Sequence, residues 1–309
     1  MSSVGPPRAD LHPRIASFGR TMLQLSSLRK PRRLAIIGSD YLEHYVLCKG
    51  GEDMRNDQRI EQMFVYMNSI FRKTPSCRHL QNVTYSVTPM GPNHGIVEWL
   101  NDTETIRSSY FNQIEENEQR IVEREEREKI LRGEKVGRSK GRTTQKSDQE
   151  RMMAVNTPLA KFYKEKIGKK EKHAIYDARS YVDIFKKSND MKKDYLKIQI
   201  DASPSNCLLR TRLMQMSNSP EVFHLLRRQM TRCIAVNSIC GYLLGMGDRH
   251  LENFLVSKVD GTLAAIDFGM SFGTATFALG VPELIPFRLT RQLLNIMTPL
   301  DTNQMLRNE

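Results

Sequence analysis

Gly245-Met246-Gly247-Asp248-Arg249-His250-Leu251-Glu252-Asn253, followed fourteen residues after Asn253 by Asp267-Phe268-Gly269, gathers the parts of a phosphoryl-transfer centre into about twenty-five residues. Moving a phosphoryl group from ATP needs a carboxylate to orient the attacking hydroxyl. It also needs an amide oxygen and a second carboxylate to hold Mg²⁺ against the phosphates. Asp248, Asn253 and Asp267 are the candidates for those places, Asp248 as the catalytic acid–base group and Asn253 and Asp267 as metal ligands. Asp248 and Asn253 stand five positions apart, as in the H-R-D-x-x-x-x-N template. Between Asn253 and Asp267 the runs Phe254-Leu-Val and Leu263-Ala-Ala-Ile266 predict a short apolar hairpin that would aim both acids at one spot. A lone Asp-Phe-Gly is most often only a turn. Both elements in order, at this distance, argue for the chemistry.

The remaining composition sets bounds. With 309 residues and 39% hydrophobic content, the chain can build a substantial core as one large domain or two lobes. Five cysteines without a C-x-x-C pair argue against a disulfide framework or a zinc site and for reduced intracellular thiols. No signal-peptide core opens the sequence, and the apolar stretch from Cys233 to Met246 is too short for a bilayer, so no membrane association is expected. The net charge of +12 would attract polyanions without choosing among them.

Along the chain, Pro6, Pro7 and Pro13 with little periodicity predict a poorly ordered lead-in over residues 1–30 that joins the fold near Leu28. Arg33 to Gly38 and His44 to Lys49 read as a hairpin turning at Gly38-Ser39-Asp40. Ile60, Met63, Phe64, Met67, Ile70 and Phe71 then recur at helical spacing, and strands are expected at Asn82–Pro89 and Gly95–Leu100. Glu115 to Lys135 alternates charges as a solvated helix does, with pairs such as Glu123/Arg127 and Glu125/Lys129. Residues 133–150 read as a basic, disordered insertion: a surface feature first, a nucleic-acid or partner contact second. Helical pattern returns at Leu159–Lys166, Ala178–Lys187 and Leu208–Met216. Ser219-Pro220-Glu221 then opens a long helix whose Leu225, Leu226, Met230, Leu243 and Leu244 are expected in the core.

One departure from the protein-kinase template is informative. His follows the Arg, as Asp248-Arg249-His250, where that template has His-Arg-Asp. This order, with Lys49-Gly-Gly-Glu52-Asp53-Met-Arg55-Asn-Asp57-Gln-Arg59, Ser219-Pro-Glu-Val-Phe223 and Val281-Pro-Glu-Leu-Ile-Pro-Phe-Arg-Leu-Thr-Arg291, resembles the phosphatidylinositol 3-kinase superfamily and its protein-kinase branch, the phosphatidylinositol 3-kinase-related kinases. The resemblance runs over roughly residues 14 to 300 and is weakest at 102–205.

It implies a two-lobed α+β kinase fold. A lobe of β-sheet plus helix with the hinge would occupy 31–101. A mainly helical lobe would occupy 102–309 and reads as incomplete, because family members continue with further helices past Pro299. It implies ATP and Mg²⁺ in the cleft. Lys49 becomes the phosphate-contacting lysine, with Asp57 as its ion-pair partner on the following helix. Gly38 and Ser39 would lie over the phosphates, where free backbone N–H groups are useful. Trp99 becomes the aromatic wall against adenine, the Glu98–Leu100 backbone supplies hinge hydrogen bonds, and Tyr85, Leu255 and Ile266 close the pocket. His250 would reach the γ-phosphate or the acceptor hydroxyl, while Arg249 anchors the loop.

Between Asp267 and Arg288 there is no Lys or Arg to meet an inositol phosphate, so Ser/Thr side chains of proteins are the expected acceptors. The members most similar work in the nucleus on double-strand breaks by end joining. That implies contacts with the Ku heterodimer and DNA ends through regions absent here. A phosphoinositide kinase and a weakly catalytic nucleotide-binding fragment are the alternatives.

Overall fold

The computed structural model describes residues 12–25, 29–132, 205–278 and 288–299, with single positions at 193, 197 and 200. The expected basic insertion and the helices at 159–166 and 178–187 lie outside the described residues. Five strands, β1 (Ile15–Gln24), β2 (Arg32–Gly38), β3 (Glu43–Gly50), β4 (Val87–Gly91) and β5 (His94–Glu98), form a sheet of order β1-β2-β3-β5-β4. Every neighbouring pair is antiparallel, which short turns allow.

The chain enters this sheet earlier than expected. Residues 15–24 of the expected lead-in form β1, paired with β2 from Ile15↔Gly38 to Gln24↔Arg32 with two register irregularities. Its side chains are exposed at all but one position. Backbone hydrogen bonds hold an edge strand of this kind without any buried face, so it leaves no apolar alternation to read. The strand expected at Asn82–Pro89 starts later than expected, for Asn82 to Ser86 are irregular and β4 begins only at Val87.

Helix α1 (Arg55–Lys73) lies against β4. Ile60 and Phe64 are fully buried, and Met67 and Phe71 pack beside the core; Met63 and Ile70, expected on the same face, are exposed. Arg72 and Lys73 in its last turn face the negative end of the helix dipole.

A second sheet, β6 (Thr103–Thr105), β7 (Phe254–Ser257) and β8 (Leu263–Ala265), carries the predicted apolar hairpin. Helix α2 (Ile106–Leu131) follows β6, and the Thr105 hydroxyl accepts the Ser108 N–H at its start. It is a solvated helix with ion pairs at i, i+4 between Glu116 and Arg120 and between Arg124 and Glu128. Each such pair contributes about 0.3–0.5 kcal/mol.

Helix α3 (Leu208–Met216) precedes α4 (Pro220–Leu244), which begins as its sequence signals: the Ser219 hydroxyl accepts the Val222 N–H at 3.3 Å and Pro220 is the first helical residue. Leu226, Met230 and Leu244 of α4 are buried as expected. Leu225 and Leu243 are not, at 54% and 66% exposed, because each lies beside a buried neighbour on a helix that buries only one face. Short helices α5 (Ala275–Ala278) and α6 (Arg291–Met297) complete the described part.

One continuous core joins residues of both sheets, α1, α3, α4 and α6. This is a two-lobed α+β arrangement.

Candidate active site

α4 ends at Gly245, whose φ of 55° is the left-handed cap that reverses the chain into the loop. The loop is then sewn to the Asp-Phe-Gly segment. Gly247 N–H donates to the Met270 carbonyl at 2.7 Å, and Ile266 N–H donates to the Asn253 carbonyl at 3.0 Å. Arg249 is buried between them, donating from Nε to the Gly247 carbonyl (2.8 Å), from one terminal nitrogen to the Ile266 carbonyl (2.9 Å) and from the other to the Asp267 carbonyl. Its guanidinium also lies over the rings of Phe254 and Phe268. Arg249 is therefore the expected loop anchor, and it fixes the spacing between the two acidic segments.

Asp248 and Asp267 both take positive φ, 56° and 61°, a conformation short acidic side chains tolerate but one that is held only by surrounding bonds. The Asp248 carbonyl accepts the Asn253 side-chain amide at 2.8 Å and the His250 N–H at 3.0 Å. With its nitrogen so engaged, Asn253 presents its amide oxygen as the remaining side-chain acceptor. That oxygen and the Asp267 carboxylate are hard donors of the kind Mg²⁺ takes, a metal that keeps water and phosphate for its other positions. The residue types fit Mg²⁺ held jointly with a phosphate. Among the described residues no group of three His, Cys, Asp or Glu makes a self-sufficient metal cage.

His250 is exposed. Its Nδ1 accepts the Glu252 N–H at 3.2 Å, which leaves Nε2 to carry the proton of the neutral ring, 4.0 Å from an Asp248 carboxylate oxygen.

Phe268 is fully buried, edge-on to Phe64 (5.6 Å between centroids) and stacked with Tyr85 (6.4 Å). Tyr85 thus sits beneath the Asp-Phe-Gly segment rather than on an open pocket wall. Burial raises its phenol well above its ordinary range. Leu255 and Ile266 are half-buried.

Three expected roles need correction. Lys49 Nζ pairs with Glu52 at 3.3 Å and not with Asp57. Asp57 instead accepts the Phe268 N–H at 3.0 Å, and burial raises its carboxyl pKa while that bond and the charge of Lys49 oppose the rise. The helix start is the reason: Asp57 is the third residue of α1, in its first turn and buried, whereas Glu52 precedes the helix beside Lys49.

The turn over the phosphates does not offer free N–H groups at Gly38 and Ser39. Gly38 N–H donates to the Leu42 carbonyl and Ser39 N–H to the Arg14 carbonyl, and the Ser39 hydroxyl accepts the Arg14 N–H. The turn's own Leu42 takes the first, and Arg14, at the start of the chain's approach to β1, takes the second.

At the hinge, Glu98 N–H goes to the Ser86 carbonyl and Trp99 N–H to the Tyr45 carbonyl, both at 2.9 Å. Only Leu100 N–H has no backbone acceptor among the described residues. Trp99 is half-buried and outside the core cluster, with the Arg33 guanidinium 5.1 Å from its ring centroid. Arg33 and Glu61, a buried acid one turn beyond Asp57, went unnoticed in the sequence. Glu61 had a signal: an acid between Ile60 and Phe64, in phase with Asp57.

The phosphatidylinositol 3- and 4-kinase family pattern matches residues 43–309. The DNA-dependent protein kinase catalytic subunit of Dictyostelium discoideum is 39% identical over 307 residues, covering 99% of this chain and 7% of that protein. Its counterpart in Xenopus laevis is 36% identical, covering 97% and 6%. The serine/threonine-protein kinase TOR of Arabidopsis thaliana is 29% identical, covering 92% and 10%. In structure, the FAT and kinase domain of CtTel1 superposes with a TM-score of 0.66 at 20% identity, covering 98% of this chain and 18% of that one, which supports the fold. The chain spans less than a tenth of the length of the DNA-dependent kinase subunits it matches.

Proposed function

Because the chain belongs to the phosphatidylinositol 3- and 4-kinase family, we propose that it carries the catalytic centre of a phosphatidylinositol 3-kinase-related protein kinase, transferring the γ-phosphoryl group of ATP to Ser/Thr hydroxyls. The observation that carries this reading is the clamp of Arg249 and Asn253, which holds the Asp248 and Asp267 segments against each other. Asp248 orients the acceptor hydroxyl and takes its proton as the oxygen attacks phosphorus. His250, with Nε2 near Asp248, lies where a hydrogen bond to the transferred group would form. Asn253 and Asp267 would hold Mg²⁺, which when bound would neutralise phosphate charge. Lys49, oriented by Glu52, meets the phosphates, and Trp99 with the Leu100 N–H receives adenine.

Protein acceptors are favoured over inositol lipids by the segment between Asp267 and Arg288, which carries no Lys or Arg. Among the described residues no helix is long and apolar enough to cross a membrane. Similarity to DNA-dependent protein kinase subunits supports a nuclear role in double-strand-break repair by non-homologous end joining. Contacts with Ku and DNA ends would then belong to portions of such proteins beyond the matched region.

The test offers Mg²⁺ and labelled ATP with a Ser/Thr peptide or with phosphoinositide vesicles. Peptide labelling that disappears in Asp248→Asn supports the reading. Lipid labelling alone replaces it with a lipid kinase, and nucleotide binding without transfer to either replaces it with a binding module.

A further inference from the structure

Helix α1 turns two acids inward one helical turn apart, Asp57 at 7% and Glu61 at 5% exposure. Asp57 has a role at Phe268. Glu61 has none in the reading above, yet its surroundings are built around it. Its Oε2 accepts the Tyr85 backbone N–H at 3.1 Å, and its Oε1 is buried with no hydrogen-bond partner among the described residues. The charges that act on it are acids, Asp57 from its own helix and Glu98 from β5, and the Tyr85 phenol faces the same space. Lys49, the cation of this region, is engaged by Glu52.

Tyr85 in turn meets the Asp-Phe-Gly segment through its ring, which stacks on Phe268, the neighbour of Asp267, with only 15° between planes. The geometry points to Glu61 as a positioning residue that, as a neutral carboxylic acid, holds Tyr85 against Phe268 and so sets the Asp267 carboxylate for MgATP; this rests on the kinase reading above.

An ionised carboxylate here would be buried beside two other acids without a counter-charge, and burial pushes Glu61 up to about 8. Ionisation is relieved by rotating the side chain toward water or admitting water. Either motion parts Tyr85 from its acceptor or from Phe268. The sign follows from linkage: with the folded pKa above the unfolded one, the stability contributed by the Glu61 proton is fully present below the unfolded value, near 4.5. It is lost as pH rises to about 8. MgATP affinity should fall in the upper part of the same window.

The experiment measures MgATP dissociation constants calorimetrically for the full chain from pH 6.5 to 9.0, with thermal unfolding of the free protein alongside, for the wild type, Glu61→Gln and Glu61→Met. The wild type should lose about five- to tenfold in affinity as Glu61 ionises. Glu61→Gln, neutral and still an acceptor, should keep the neutral-pH affinity, lose the pH dependence, flatten the stability slope below pH 8 and leave the peptide KM unchanged. Glu61→Met should be pH-independent but weaker throughout, because the Tyr85 N–H loses its partner. A Glu61→Gln profile that titrates like the wild type, or a Glu61→Met affinity equal to that of Glu61→Gln, overturns the inference. Tight but pH-independent MgATP binding by the wild type overturns it alone, whereas no MgATP binding at any pH overturns the kinase reading and this inference together.

Discussion

Asp57 and Phe268 stand 211 positions apart in sequence, and Asp57 Oδ1 accepts the Phe268 backbone N–H at 3.0 Å. The bond ties the helix behind the first sheet to the segment that carries Asp267, the proposed metal ligand. Burial pushes the Asp57 carboxyl pKa up, so its ability to accept a hydrogen bond matters there at least as much as its charge. Asp57→Ala leaves a buried N–H without a partner and should lower unfolding free energy by about 1–3 kcal/mol. Asp57→Asn retains an oxygen acceptor and should lose less. Denaturant unfolding of the two variants decides the matter, since equal losses would assign the effect to the carboxylate charge near Lys49.

Asp248 and Asp267 should fail in different ways. Asp267→Ala removes the proposed metal ligand and should weaken MgATP binding together with turnover. Asp248→Asn removes the proposed proton acceptor and should reduce kcat about 10²–10⁴-fold with MgATP affinity preserved. Nucleotide titration of each variant beside its turnover separates the roles, and a matching loss of MgATP affinity in both would reverse the assignment.

The second sheet has its own electrostatic tether. Glu104 of β6 accepts from Arg212 of α3 at 2.9 and 3.0 Å and from the Ser109 hydroxyl, with Lys258 4.0 Å away. Burial alone would raise its pKa, but the bonds from Arg212 and Ser109 outweigh it and hold the carboxyl below its usual value. A depressed pKa contributes stability that is present above the unfolded value, about 4.5, and lost as pH falls through the folded one. Glu104→Gln should therefore cost about 1–3 kcal/mol near neutral pH and much less under acid conditions. Stability measured from pH 7 down to pH 3 would show the gap to the wild type narrowing; a constant gap would exclude the charge as its source.

What was legible in the sequence was local chemistry at short range. The Asp248 to Asp267 motif, the β2–β3 and β7–β8 hairpins and the Ser219-Pro220 helix start all rest on residues within a few positions of each other. Strand β1 was not legible, because an exposed edge strand buries nothing and so has no pattern to show. Nor were the partners of Lys49 and Asp57, because both candidate acids follow the lysine within eight positions and only the helix start decides which one turns inward. Leu225 and Leu243 show the limit of composition: a hydrophobic residue on a half-buried helix is placed by its phase, and each misses the core by one position.

Trp99 is the only tryptophan, half-buried, with the Arg33 guanidinium near its ring. If adenine packs on the indole, MgATP should change its emission, and the signal has a single source. Arg33→Ala should shift the emission of the free protein by removing the cation, while a MgATP-dependent change persists. Unchanged emission at saturating nucleotide, with binding confirmed by calorimetry, would place adenine elsewhere.

Gly245 carries the last and most local test. Its φ of 55° is unfavourable for any residue with a Cβ, and a Cβ built there would lie 2.6 Å from the Gly273 nitrogen and 3.2 Å from the Phe272 carbonyl carbon. Those are backbone atoms and cannot swing aside. They are held there because Phe272 N–H donates to the Leu244 carbonyl and Gly273 N–H to the Gly245 carbonyl, both at 2.9 Å, so the segment after Asp267 hangs on the cap of α4. Gly245→Ala should cost about 1–3 kcal/mol, from left-handed strain plus the clash, and should lower turnover by displacing that segment. Gly269 is the control: a Cβ there meets only an Asp267 side-chain oxygen at 3.7 Å, ordinary contact, so Gly269→Ala should unfold at nearly the wild-type midpoint. Thermal unfolding of the two variants gives the comparison directly, and a Gly269→Ala protein less stable than Gly245→Ala would mean that the helix cap does not hold the segment.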